Sequence, residues 1–260
     1  VSEIHARVVS SFAPNAAAYV TSQGHANPEV IGRLVELVKP KPTDRLLDIA
    51  TGAGHVALNF APFVNEVVAL DLTPSMLEQV TRQAAEKGFT HVKTQLAPAE
   101  DMPFPDESFE IVTVRLAPHH FSDVPKFLQE VTRVLKPYGK FLLVDTTVPD
   151  DDELDRVINH LELLRDPSHV RNYRVGEWIS MIQEAGMTVV HQHVGLHADG
   201  HRMEFEGWMN RIGTPEENRE ELRGIFFDPT PELVETLKIE RENDVVTFTL
   251  PEMTVLAVRA

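Results

Sequence analysis

The run Arg45-Leu-Leu-Asp-Ile-Ala-Thr-Gly-Ala-Gly-His55 constrains the fold more than any other stretch of this chain. It reads as a short apolar strand, a glycine turn and the start of a helix. Val67-Val-Ala-Leu-Asp71 follows as a second strand with an acid at its tip. A strand, a glycine turn, a helix and an acid-tipped strand together form the nucleotide-binding half of an open α/β sheet. Glycines let the backbone approach a ligand closely and leave helix-start N–H groups to face it. The terminal acid, Asp71, is placed to accept both hydroxyls of a ribose.

The turn Gly52-Ala-Gly54-His-Val-Ala57 also fits the loose dinucleotide pattern. Asp48 separates the two readings. A first strand that meets a pyrophosphate is normally apolar up to its glycines. Here a carboxylate stands at the mouth of the site, which suits a ligand with an amino group or a sulfonium.

Other elements repeat the strand–helix alternation. Asn27 caps a helix, Pro28 takes its first turn, and Val30, Ile31, Leu34, Val35 and Val38 form its apolar stripe. Thr73-Pro74 starts another helix, with Met76, Leu77, Val80 and Ala84 inward and Gly88 at its end. Val92 to Leu96 and Phe109 to Val114 read as strands three and four. Pro137-Tyr-Gly139 turns into strand five, Lys140 to Asp145. Strands alternating with helices predict a parallel sheet. After residue 145 helical stripes dominate, with Met187 to Val194 as a strand. Asp244 to Leu250 and Met253 to Val258 read as strands paired across Leu250-Pro-Glu252.

Acids outnumber bases 40 to 24, a formal charge of −16, and such a field repels polyanions, so a nucleic-acid substrate is not expected. The absence of cysteine excludes disulfides, zinc–thiolate sites and catalytic thiols. No apolar run is long enough to span a membrane and no charged-then-apolar leader opens the chain, so a soluble, cytoplasmic protein without membrane association is expected.

The ordered motifs resemble the class I S-adenosylmethionine (SAM)-dependent methyltransferases. The first motif stands as Asp48-Ile-Ala50-Thr51-Gly52-Ala-Gly54, and Asp71 matches the acid of the second strand. Ala99-Glu-Asp-Met-Pro-Phe-Pro-Asp-Glu-Ser-Phe-Glu-Ile-Val112, Arg115-Leu-Ala-Pro-His-His-Phe121 and Arg133-Val-Leu-Lys-Pro-Tyr-Gly-Lys-Phe-Leu-Leu-Val144 match further segments. The look is nearest to the small-molecule subgroup that includes the quinone-biosynthesis C-methyltransferases. The resemblance implies an α/β fold: a doubly wound, Rossmann-like, mostly parallel sheet with one antiparallel strand, a helical N-terminal lead-in and a cap inserted after strand five. It divides the single domain 1–260 into a lid (1–40), a cofactor-binding core (41–145), a substrate cap (146–245) and closing strands (246–260). Two positions depart from the family: Ala50 replaces the first motif glycine, so that residue sits at negative φ or under strain, and Pro98 replaces a polar residue near the adenine amino group.

The resemblance implies SAM as cofactor and S-adenosylhomocysteine (SAH) as product. Asp71 then meets the ribose or, alternatively, is a helix-capping acid before Thr73-Pro74, and Asp48 meets the methionine amino group or, alternatively, the loop amides. Gly52 and Gly54 give close backbone approach. Leu72 and Met76 sandwich adenine, with Met76 as plain core the alternative, and Ala99 and Glu100 flank the base. In the lead-in (Phe12, Ala17, Tyr19, His25), Tyr19 is placed near the cofactor carboxylate or is an ordinary half-buried tyrosine. Arg115, His119 and His120 follow strand four, where open sheets place substrate. Arg115 is a candidate for the methionine carboxylate or an anionic substrate, and His119 for a general base, against a structural helix start. Arg165 and His169 form a polar cluster suited either to an anionic group or to a capped turn. His191-Gln-His193, with His197 and His201, lacks an accompanying acid cluster and reads as a polar face, so no metal is expected. The reading is methyl transfer to carbon or oxygen of a small, partly apolar molecule. Alternatives are SAM binding with non-methylating chemistry, a SAM sensor, or a nicotinamide dehydrogenase. A homodimer stands open.

Overall fold

Leu46, Leu47 and Ile49 are fully buried because β1 (Arg45–Ile49) lies inside a sheet covered on both faces. A computed structural model describes residues 3–20, 26–197 and 200–260; His25 lies outside the described residues. β1 pairs in parallel with β2 (Glu66–Asp71) on one side and β4 (Phe109–Arg115) on the other. β3 (Val92–Leu96) extends the sheet beyond β2, and β5 (Leu135–Thr146) extends it beyond β4, both in parallel. The seven-stranded order is β3-β2-β1-β4-β5-β10-β6, where β6 is Met187–Leu196 and β10 is Pro251–Arg259. β10 runs antiparallel to both its neighbours, so one strand of seven is reversed, as expected. Alternate side chains feed two cores: Leu47, Val68, Leu70 and Val112 face one, and Leu46, Val67, Ala69 and Ile111 the other. The chain leaves β1 toward β2 on one side, while β4 lies on the other. That reversal of order opens a crevice at the carboxyl ends of the two strands.

In the described lead-in, α1 (Glu3–Phe12) precedes the short α2 (Ala16–Tyr19). Asn27 caps α3 (Pro28–Val38) as predicted, its Oδ1 accepting from the amides of Glu29 and Val30 at 3.0 and 3.4 Å. α4 (His55–Phe60) follows the glycine turn, α5 (Pro74–Glu86) follows β2, and α6 (Val124–Val134) precedes β5. The cap carries α7 (Asp152–Arg165), α9 (Phe205–Ile212), α10 (Glu216–Phe227) and α11 (Pro231–Leu237). Three short strands, β7 (Met203–Glu204), β8 (Glu240–Glu242) and β9 (Val245–Phe248), form a second sheet in the order β7-β9-β8. Phe205, Trp208, Phe226 and Phe248 give this region its own buried cluster.

Three expectations change. β9 and β10 do not pair with each other: β9 joins β7 and β8, and β10 enters the main sheet. Val246 and Phe248 bury into the cap core, Met253 and Val255 into the main core, and the same alternation served both. Within 146–245, α8 (Val175–Glu184) and β6 also belong to the main body, with Trp178, Ile182 and Met187 in its core. Strand five begins at Leu135, directly after α6. Pro137-Tyr-Gly139 makes an irregularity in the β4–β5 register, with Tyr138 at φ 60°, and does not break the strand.

Candidate functional site

The crevice opens into a cavity whose floor is the loop after β1. Ala50 stands at φ 49°, the left-handed region, so the missing motif glycine is met by strain. Gly54, at φ 87°, begins α4, and a Cβ there would lie 2.9 Å from Val80 Cγ2, so the glycine seats α4 against α5. The loop amides expected to face a ligand are largely used within the fold. Thr51 N–H donates to Leu70 O at 3.0 Å, Gly52 N–H to Asp71 Oδ2 at 2.8 Å and Gly54 N–H to Thr51 O at 2.9 Å.

Asp48 holds this turn together. Its Oδ2 accepts from Thr51 Oγ1 (2.6 Å) and Ala57 N (3.2 Å), and its Oδ1 from Thr113 Oγ1 (2.7 Å). Burial raises its pKa to about 6, against the three hydrogen bonds that favour the carboxylate. The loop-binding alternative for Asp48 is therefore realised, while the residue also lines the cavity. Asp71 binds Gly52 N through Oδ2 and Thr73 N through Oδ1, both at 2.8 Å. The Thr73 side chain and the Leu72 amide also bond the carboxyl. Burial pushes its pKa up, opposed by those amides.

Ala50, Thr51, Gly52, Leu72 and Met76 line the same cavity. Ala99 and Glu100 line it as well, with Pro98 between Ala97 and Ala99. Glu100 is engaged on both oxygens: Oε1 accepts from Ser122 N (2.9 Å) and Oγ (2.7 Å), and Oε2 lies 3.3 Å from His5 Nε2 on α1. Tyr19 reaches the wall from α2, and its carbonyl is 2.8 Å from His55 Nε2. Gly54 is not part of the wall.

Beyond β4, Arg115, His119 and His120 enter the cavity wall. His119 Nδ1 is 2.6 Å from Asp145 Oδ1, and its backbone N–H donates to Asp145 Oδ2 at 3.0 Å. Burial draws the imidazole pKa down, but the charge and hydrogen bond of Asp145 outweigh it and raise it. With Nδ1 committed to Asp145, Nε2 is the nitrogen left to exchange a proton. His120 is buried against Phe12 and bonded to Ser168 O at 3.1 Å, and burial, followed by the neighbouring His119 charge, lowers its pKa to about 3. It is a neutral packing histidine. His169 lies outside the cavity wall, its ring 5.6 Å from that of His119 and its Nε2 3.2 Å from Asn159 Oδ1, so it supports the imidazole layer from behind. Arg165 does reach the cavity. His191 and His193 are exposed on β6.

Sequence reasoning missed Asp145, Glu162 and Arg211, and put His197 on a polar face, whereas it is buried and lines the cavity. Asp145 carried a usable signal, an acid near the carboxyl end of a parallel strand, as at Asp48 and Asp71. The other three reach the wall from the cap or its edge, where only tertiary packing brings them in. Buried His197 bonds Glu252 on β10 at 2.8 Å.

An acid-tipped β2, a glycine loop at the sheet's reversal point and an antiparallel β10 define the class I methyltransferase fold. The methyltransferase-domain family matches residues 47–143. The uncharacterized methyltransferase YcgJ of Bacillus subtilis (strain 168) is 40% identical over 211 residues, which cover 81% of this chain and 82% of that protein. Its crystal structure superposes with a TM-score of 0.81 at 36% identity, covering 89% of this chain and 98% of that one. BH2331 of Bacillus halodurans C-125 gives 0.83 at 35% identity, covering 89% and 99%. The ubiquinone/menaquinone biosynthesis C-methyltransferase UbiE of Geotalea daltonii is 34% identical over 119 residues, 44% of this chain and 51% of that protein. The chain belongs to the methyltransferase-domain family, within the SAM-dependent class I group whose motifs it carries.

Proposed function

We propose that this methyltransferase acts on carbon or oxygen of a small, partly apolar molecule by in-line displacement. The observation that carries this reading is one cavity bounded by the Asp71–glycine-loop end of the sheet, by His119, which Asp145 holds from outside the wall, and by the apolar cap residues Met203, Trp208 and Leu250. When bound, SAM supplies an electrophilic methyl group on a sulfonium.

The residues present fit that cofactor. Asp71 would present its carboxylate to a ribose diol, and Leu72 and Met76 offer apolar surface for a base. Asp48 and Arg115 bring opposite charges to the end of β1, suited to an amino acid zwitterion. His119, oriented by Asp145, would take a proton from the acceptor through Nε2. Alignment of acceptor and donor supplies most of the acceleration, roughly 7–11 kcal/mol. Lid residues 1–40 and the cap would exclude water. A net charge of −16 supports a small molecule over a nucleic acid. Among the described residues no helix is long and apolar enough to cross a membrane.

Calorimetric titration with SAM, SAH and NAD tests the reading. Both adenosyl ligands should bind and NAD should not. Incubation with SAM and a panel of enols and phenols should then release SAH. Binding without SAH release would point to non-methylating use of the cofactor, and NAD binding alone would overturn the assignment.

A further inference from the structure

Arg165 and Arg211 line the cap side of the cavity with no hydrogen-bonded carboxylate on either guanidinium. Arg165 closes α7. Its guanidinium lies over the Trp208 ring, 4.9 Å from the centroid, and Nε donates to Trp208 O at 3.4 Å. Its nearest carboxylate, Glu162 Oε2, is 3.8 Å from Nη1, beyond hydrogen-bond reach. Arg211 follows Trp208 by three residues on α9, on the same face. It makes no hydrogen bond or ion pair with any described residue. Arg45, Arg133, Arg156, Arg174 and Arg223, in contrast, each hold a carboxylate at 3.0 Å or less.

We propose that Arg165 and Arg211 clamp an anionic group of the acceptor, such as a carboxylate, whose apolar body lies against Trp208. The inference rests on the small-molecule methyltransferase reading and names its substrate class.

Physical chemistry favours an anion there. Burial, and then the charge of Arg165, lowers the pKa of Arg211, with Tyr19 opposing the shift. Two acids stand near Arg165 without a hydrogen bond to it: Glu162, whose pKa burial raises against the charges of Arg165 and His119, and Asp166, whose Oδ1 accepts from Ser11 and Ser168. The Tyr19 phenol, which lines the same cavity, is held neutral by burial and feels the charges of Arg165, Asp166 and Arg211. An entering carboxylate accepts the charge-assisted hydrogen bonds that neither acid takes, from planar forks suited to it. The cofactor's own carboxylate would have a separate cation, Arg115, which interacts with Glu252 and then with Asp48.

The test uses the full chain saturated with SAH and ligand-observed NMR titration of 4-hydroxybenzoate and its neutral counterpart 4-hydroxybenzyl alcohol. The acid should bind about tenfold more tightly or better, as for a charge-assisted contact. Arg211→Met and Arg165→Met should each erase that preference and leave SAH affinity within about twofold, while Arg211→Lys should keep part of it. Equal affinity of the two probes, no binding by the acid at millimolar concentration, or a preference that survives Arg211→Met overturns the clamp. A tenfold loss of SAH affinity in Arg211→Met also overturns it, by assigning the arginine to the cofactor. Failure of the wild type to bind SAH strikes the methyltransferase reading instead.

Discussion

Asp48→Asn is expected to stabilise the fold above neutral pH while weakening the cofactor site. Asp48 is 2% exposed, and burial raises its pKa from 3.8 to about 6. That rise corresponds to ~3 kcal/mol of preference for the protonated form. Below about pH 4 the carboxyl is protonated in folded and unfolded chains alike, so no penalty applies. As pH rises through 6 the folded chain must ionise a buried group, and the contribution is lost. Asparagine carries no charge and preserves shape. Its Oδ1 can keep the Thr51 and Ala57 donors. Its Nδ2 can face Thr113 Oγ1, whose proton can turn toward Leu47 O, 3.4 Å away. One imperfect hydrogen bond costs about 1 kcal/mol. The net gain at pH 8 is therefore ~2 kcal/mol, and near pH 4 the variant is less stable by ~1 kcal/mol. Urea unfolding of both proteins at pH 4.5, 6 and 8 measures the difference, with other titrating groups cancelling. A variant less stable than wild type at pH 8, or a difference independent of pH, would refute the reasoning. Loss of a charge-assisted contact to the methionine amino group should weaken SAM by about 1.5–3 kcal/mol in the same variant, so stability and binding move in opposite directions.

Other perturbations address the loop and the histidine pair. Gly54→Ala combines left-handed strain with a Cβ 2.9 Å from Val80, and should destabilise by about 2–5 kcal/mol in urea titrations. Val80→Ala in the same chain should recover part of that loss, and strictly additive effects would show that the contact is irrelevant. Ala50→Gly should release the strain at φ 49° and raise stability by about 0.5–1 kcal/mol after the extra chain entropy of glycine is subtracted. Any destabilisation would show that the turn is relaxed with alanine. In Asp145→Asn the charge that raises the His119 pKa is gone while burial still lowers it, so the ring should titrate at lower pH by proton NMR. A methyl-transfer rate that needs neutral His119 should then begin its rise at lower pH than in the wild type. An unmoved His119 titration would dismiss the pairing.

Local signals made the cofactor end of the molecule legible. Asn27, the apolar runs of β1, β2 and β4, and the acids Asp48 and Asp71 act within a few residues of where they stand, so composition and spacing suffice. Of the cap wall Arg165 was legible, while Glu162, His197 and Arg211 were not, because they meet only after distant elements pack. The pairing of β9 was misread because alternation marks a buried face without saying which core receives it. Free loop amides were expected at the glycine turn, yet Asp71 takes the Gly52 N–H. A strand-tip acid next to a glycine turn has two partners to choose from, and here it serves the fold before any ligand.

The place of β10 bears on the order of assembly. β6 has a neighbour on one side alone, and that neighbour is drawn from residues 251–259, more than fifty positions later in the chain. A chain halted at residue 245 would possess β1 to β5 in parallel register but leave Met187–Leu196 with nothing to zip onto. Closure must therefore wait for a contact of high sequence separation, which slows folding and prolongs the exposure of β5's free edge. Because β9 leads into β10 through Thr249 and Leu250, the same closing step draws the cap down onto the crevice. The cap wall of the cavity and the last seam of the sheet are set together, so a lesion in that seam should register as a deformed pocket before it registers as an unfolded protein.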